Sequence, residues 1–439
     1  MSEGRPRRAP AAAAAVVLLV LASPARAVVL GEDELGERST DLGACVRSFA
    51  FWLAGDVLAP PLSLSDENPT GIGVFDARLV FAHRSPGFKL ALHAPLTASV
   101  RSHAGTAAIP LGRGASPPRW LPLEHRLTEE PTLDLRASID WLYVAVSPGP
   151  LTLTAGRQPL SFGRGQIWRP TDRISSFALT EIDKEYRPGA DALRLDWSMA
   201  EQSTLTLLLV GGEIEPAGQP EQVDLEATGR GSSLLGRFAQ GWSRGEIGAM
   251  AGLVRGDLWG SIDAVLDAAA FDAYAELTLT LLSDQSLGSP AIEDRALPVP
   301  SALVGATFKP ISTLTLVPEL YLNGFGATEP AGYLRIALSE RVAVGEQVAL
   351  GQLYGGLSAD WQLHPLAHLV SAAIANLTDP SALVLLSLSY ELAANAVVVV
   401  GGYLPVGSRP VRAAGILPEL RSEYGSYPSF AFLELKGAI

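Results

Sequence analysis

Apolar and polar side chains take turns along this chain, residue by residue, in one segment after another. Between 132 and 145, Leu133, Leu135, Ala137, Ile139, Trp141 and Tyr143 fall on one face of an extended strand, and Asp134, Arg136, Ser138 and Asp140 on the other. A period of two puts successive side chains on opposite sides of a pleated strand, whereas a helix would scatter them. Phe75, Ala77, Leu79 and Phe81 oppose Asp76 and Arg78 in the same way. Leu193, Leu195 and Trp197 oppose Arg194 and Asp196, and Leu357, Ala359 and Trp361 oppose Ser358, Asp360 and Gln362. One such segment is a weak signal; its recurrence over the whole chain is a strong one.

The alternation has to be reconciled with an apolar content of 48%. Beyond residue 27 the chain holds no apolar run of about 18 residues, so it has no candidate helical membrane span. A closed β-barrel resolves this: every second residue meets lipid and the others a wet lumen, and closure satisfies every backbone group without water. The expected fold is an all-β transmembrane antiparallel β-barrel of about 18 strands, with 16 as the alternative, and an inward-folded loop.

The N-terminus reads as an export signal. Arg5, Arg7 and Arg8 precede an apolar run from Ala9 to Ala22, and Ala25-Arg26-Ala27 supplies a cleavage site. The expected organisation is a signal peptide over 1–27 and a single outer-membrane barrel domain over 28–439. Its 29 basic and 45 acidic residues give a net charge of −16. That balance argues against nucleic acid as a partner. Cys45 is the only cysteine, which excludes an internal disulfide framework and a cysteine zinc site.

Eighteen strands are expected at 44–54, 72–83, 87–99, 131–146, 150–158, 189–198, 203–212, 230–240, 245–255, 257–266, 271–282, 300–309, 313–324, 349–362, 366–376, 382–391, 396–404 and 428–436. Short links alternate with long ones, the pattern of periplasmic turns and outer loops. The ninth and tenth strands are joined by a minimal outer link. Trp141, Tyr143, Trp197, Trp361 and Tyr390 are expected to point outward just before short turns, as an interfacial girdle. The last strand ends without the aromatic residue usual in such barrels.

The segment 156–190 carries most of the functional signal. Arg157, Arg164, Arg169, Arg173, Lys184 and Arg187 stand against Asp172, Glu181, Asp183 and Glu185, a net positive loop in a net negative chain. Arginine recognises carboxylate and phosphate bidentately. The expected constriction loop is 157–189, with Arg157, Gln158, Arg164, Trp168, Arg169, Asp172, Arg173, Asp183, Glu185 and Arg187 at the pore. Two readings stay open: the charges line the pore, or they pair and pin the loop to the wall. Alternation also sends Arg136, Asp140, Arg194, Asp196, Glu276, Glu319 and Asp360 into the lumen, with an acidic second half of the wall facing the basic loop.

Gly156-Arg157-Gln158, Ser161-Phe162-Gly163 and Trp168-Arg169-Pro170-Thr171-Asp172, extended by 183–194, resemble a signature of outer-membrane barrels of the alginate-export and porin-like kind. The resemblance covers about 150–197 and implies a loop at the pore whose charged residues line the translocation path. Alginate exporters carry a strongly basic lumen, whereas this one is mixed. The implied function is a channel for passive passage of small or charged solutes, embedded in outer-membrane lipid and inserted by the barrel-assembly machinery. Monomer and trimer both remain open. The competing readings are a partner-binding barrel, with the 101–130 loop as its contact, a polysaccharide-export pore and an outer-membrane hydrolase. No His-Glu-x-x-His, Gly-x-Ser-x-Gly or phosphate loop is present, so no enzymatic activity, cofactor or metal is expected.

Overall fold

The computed structural model describes residues 28–32, 37–54, 57–59, 63–65, 70–102, 117–175, 187–214, 230–283, 287, 289, 291–292, 297–412 and 417–438. The expected signal peptide, and Asp183 and Glu185 of the expected constriction, lie outside them.

Eighteen staves form one antiparallel barrel. They are β1 (Ser39–Ala54), β2 (Thr70–Ser85), β3 (Phe88–Arg101), β4 (Leu133–Ser138 continued by Trp141–Val146), β5 (Leu151–Gln158) and β6 (Ala190–Ala200). They continue as β7 (Ser203–Gly211), β8 (Ser233–Trp242), β9 (Gly245–Val254), β10 (Asp257–Asp267), β11 (Phe271–Leu281) and β12 (Val299–Ile311). The last six are β13 (Leu314–Asn323), β14 (Leu353–His364), β15 (Ala367–Asn376), β16 (Ser381–Ala393), β17 (Ala396–Val406) and β18 (Ser429–Ala438). Pairing of β18 with β1, from Cys45 opposite Ala438 to Ala54 opposite Ser429, closes the sheet. Closure removes both sheet edges, as a bilayer requires.

The ninth and tenth staves pair directly, and a two-residue turn joins them. Arg255 (φ 49°) and Gly256 (φ 87°) both adopt left-handed backbone, the geometry that matches the twist of paired strands. Arg255 is held there by its guanidinium, which donates to the carbonyls of Arg173 (3.2 Å) and Ile174 (3.1 Å). The longer link between β13 and β14 carries two short helices, α1 (Tyr333–Ala337) and α2 (Glu340–Ala343).

The outer face is oily. Leu193, Leu207, Leu234, Ile262, Leu320, Leu357, Leu386 and Val400 are all exposed, and they belong to one continuous band around a closed sheet. A patch of that size has no place in water and fits hydrocarbon. None of the described helices is long and apolar enough to span a membrane; the staves do so.

One expectation fails at β4. Leu96 faces Ala137, but His93 faces Trp141, so three β4 residues occupy the space of two β3 residues. This bulge reverses the side-chain phase. Leu142 and Val146 therefore point outward, while Trp141 and Tyr143 turn into the lumen. Trp141 stacks on His93 with ring centroids 3.9 Å apart, and the Lys89 ammonium lies 5.4 Å from the Tyr143 ring. Trp197, Trp361 and Tyr390 do face outward, joined by Trp242 and Phe271 near the same turns.

Candidate functional site

After Gln158 the chain leaves the wall and enters the barrel. Leu160, Phe162 and Ile174 bury themselves on inward residues of β6–β10, among them Leu208, Leu235, Met250 and Trp259. Farther on, Ile167 and Trp168 pack on Tyr274, Leu303, Val317 and Tyr354. Trp168 stacks on Tyr321 at 5.5 Å. The loop is thus an apolar liner on one side of the lumen, not a free strap across it. Gly165 permits its tightest bend: a Cβ there would lie 1.8 Å from the Trp168 carbonyl oxygen.

Two wall carboxylates hold its backbone. Glu276 of β11 accepts from the N–H groups of Arg164 (2.5 Å), Gly165 (2.9 Å) and Thr171 (2.9 Å). Glu319 of β13 accepts from Gln166 (2.6 Å), Ile167 (3.1 Å) and Trp168 (3.1 Å), and from the Tyr274 hydroxyl (2.7 Å). Six N–H groups that the turn leaves without carbonyl partners are thereby satisfied. A carboxylate suits this task because it is acceptor-only and has several lone pairs. Within the loop, Asp172 does the same for Phe162 (2.5 Å) and Gly163 (2.9 Å), and receives Ser161 and Arg187.

The loop arginines pair with the wall. Arg164 bonds Asp263 at 2.8 Å and also reaches Glu246, while Arg237 shares Asp263 at 2.8 Å. Arg173 bonds Glu346, which also receives Arg255 (2.9 Å) and Arg341; Arg341 continues to Asp257 at 2.5 Å. This buried cluster ties the inner loop to the β9–β10 turn and to the α2 link. Burial alone would raise the Glu346 carboxyl, but Arg173, Arg341 and Arg255 hold it down to about 2. Arg169 bends back to the Gly165 carbonyl at 2.6 Å and lines a cavity with Trp168, Tyr321, Phe325 and Gln347.

The remaining predicted positions divide clearly. Gln158 donates to the Ala192 carbonyl (3.1 Å), and Arg187 to the carbonyls of Leu160 (3.0 Å) and Ser175 (2.6 Å). Arg157 is not at the pore. It stands opposite Leu142 and Asp191 in the outward phase of the sheet, fully buried beneath the 117–123 segment. The basic loop and acidic wall do not face each other across water either; they are in contact, which favours the pinning reading. Arg136 pairs with Asp134 (2.6 Å), Arg194 with Asp196 (2.7 Å), and Asp140 with Arg78 (3.2 Å). Asp360 lies at the open end near the short turn, 3.4 Å from His368.

A motif missed in the sequence is the opposite charge two residues along one stave: Asp76 and Arg78, Asp134 and Arg136, Arg194 and Asp196, Glu434 and Lys436. Residues i and i+2 share a face, so each of these four staves pairs its own charges. Glu346, Arg341, Arg255, Asp257 and Tyr274 were also missed as loop anchors. Asp263 had a readable signal, since Ser261 and Asp263 alternate with Ile262; Glu346, in an irregular link, had none.

The chain matches no known protein family profile and no curated protein. Its fold is shared with solved structures. A BenF-like porin from Pseudomonas fluorescens aligns over 91% of this chain and 98% of its own, with 10% identity and a TM-score of 0.55. OccAB2 of Acinetobacter baumannii aligns over 91% and 98%, with 8% identity and a TM-score of 0.56. OccK11 (OpdR) of Pseudomonas aeruginosa aligns over 91% and 96%, with 10% identity and a TM-score of 0.52. At these identities the likeness is one of architecture.

Proposed function

We propose that this chain is an outer-membrane channel for the passive passage of small or charged solutes, exported with 1–27 as its signal peptide and inserted by the barrel-assembly machinery. The observation that carries this reading is a closed, lipid-compatible barrel with a loop fastened inside its lumen by wall carboxylates. About 18 staves enclose a wide lumen unless it is filled. The inner loop narrows it from one side, so solutes pass beside the loop. Arg164, Trp168, Arg169, Asp172, Arg173 and Arg187 shape the narrow zone. Arg136, Asp140, Arg194, Asp196 and Asp360 line the approach, and Glu276 and Glu319 hold the loop.

Self-paired staves leave a weak net field, which suits small solutes of either sign better than a polyanion. Export of an anionic polysaccharide calls for arginines open to the lumen, whereas Arg164 and Arg173 are committed to carboxylates. Purified protein in planar bilayers tests the reading. Stable steps of conductance with modest ion preference are expected; a folded barrel that inserts and never conducts overturns it.

A further inference from the structure

The 417–427 segment between β17 and β18 turns into the lumen and is fastened by an acid. Glu423, fully buried, accepts from the N–H groups of Leu350 (2.9 Å) and Gly351 (3.3 Å), from Asn376 Nδ2 (2.8 Å) and from the Tyr354 hydroxyl. Asp379, in the link between β15 and β16, accepts from the Glu423 N–H (3.0 Å) and from Asn376 Nδ2 (3.2 Å). Two carboxylates thus share one amide, and neither has an ion-pair partner among the described residues. The titratable groups facing Glu423 are Asp379, Tyr333 of α1, Tyr354 of β14, and Tyr424 and Tyr427 of its own segment. Tyr424, the next residue, is buried in the aromatic cluster that also holds Tyr354 and Trp168.

We propose that Glu423 and Asp379 form an acid latch, which keeps the 417–427 segment inside the lumen while Glu423 is protonated and releases it when Glu423 ionises. A protonated Glu423 adds no second charge beside Asp379, which it neighbours through the shared Asn376 amide. An ionised one is a second buried negative charge with no cation beside it, which is unfavourable unless the segment moves into water. Burial, with a smaller push from Asp379, outweighs the Tyr354, Leu350 and Gly351 donors and raises the Glu423 carboxyl from 4.5 to about 7. A raised carboxyl stabilises the latched form fully below the solvated value. That advantage is lost as pH climbs from about 4.5 to about 7, by about tenfold in the latch equilibrium per pH unit, and levels off above.

Amide hydrogen exchange over 417–427, corrected for the intrinsic pH dependence, reads the latch directly and does not depend on the channel reading. Protection is expected to fall between pH 4.5 and 7 by up to about tenfold per unit and then flatten. Glu423→Gln should keep high protection throughout, and Asp379→Asn should end the fall at a lower pH. Protection that is flat in the unaltered protein, or that falls equally in Glu423→Gln, overturns the latch. Conductance over the same range is the second arm and rests on the channel reading. A rise with pH in the unaltered protein but not in Glu423→Gln is expected. Exchange that responds while no current flows at any pH would sink the channel and leave the latch standing.

Discussion

Arg157 Nε and Asp191 Oδ1 lie 2.7 Å apart on the outward side of neighbouring staves, yet Arg157 is fully buried. The pair fills the seam where the β4–β5 ladder ends. Asp191 accepts from the N–H groups of Trp120 (3.0 Å) and Leu121 (2.7 Å), and Arg157 donates to the carbonyls of Leu121 (2.5 Å) and Ile139 (3.0 Å). Each charge therefore completes backbone groups that the sheet leaves open.

Removing one partner strands the other. Arg157→Ala should destabilise the barrel by about 3–5 kcal/mol, the penalty for breaking a buried pair. The temperature at which the folded form converts in detergent gel shifts measures this. Ion selectivity should not change, because Arg157 faces away from the lumen; a changed selectivity would return it to the pore.

Loss of a backbone acceptor should loosen the inner loop. Glu319→Ala leaves three N–H groups and the Tyr274 hydroxyl unanswered, at about 1–3 kcal/mol for each donor that stays dry. Single-channel recordings should show larger conductance and more open-channel noise. Glu276→Ala should do the same through Arg164, Gly165 and Thr171. An unchanged trace in both variants would mean that the loop does not narrow the pore.

The Glu346 cluster has its own acid limit. Its carboxyl is depressed to about 2 from 4.5, so its contribution is complete above about pH 4.5 and disappears as pH falls toward 2. Flicker in the current should rise across that window. Glu346→Gln should show the acid behaviour at neutral pH, since it leaves Arg173, Arg255 and Arg341 facing one another without their shared counter-charge. Identical flicker in both proteins at pH 7 would separate the cluster from the loop's rigidity.

Cys45 provides a built-in probe. It stands in the inward phase of β1, opposite Arg78. A bulky thiol reagent should lower conductance, and Cys45→Ser should abolish the effect. A labelled protein that conducts normally would place the passage elsewhere.

The alternation read from the sequence located all 18 staves, because it records which side of the sheet meets lipid. It could not see the bulge between Ser138 and Trp141. One inserted residue reverses the phase without disturbing composition, so Trp141 and Tyr143 changed sides. Arg157 misled for a related reason. A charged residue beside a Gly-rich loop suggests a pore, and only the fold over of 117–123 makes an outward arginine dry. The roles of Glu276 and Glu319 were half legible. Their inward direction follows from period two, but their partners are loop N–H groups more than a hundred positions away in the chain.

Those partners have an implication for how such a loop can diversify. A peptide N–H is common to every residue except proline, so Glu276 and Glu319 grip a shape and, apart from the glycine that shape requires at 165, do not read the side chains it displays. Substitutions at Gln166, whose side chain is exposed, can alter what a passing molecule meets while the grip persists. Fastening and recognition are thus written in different atoms, and one can be revised without erasing the other.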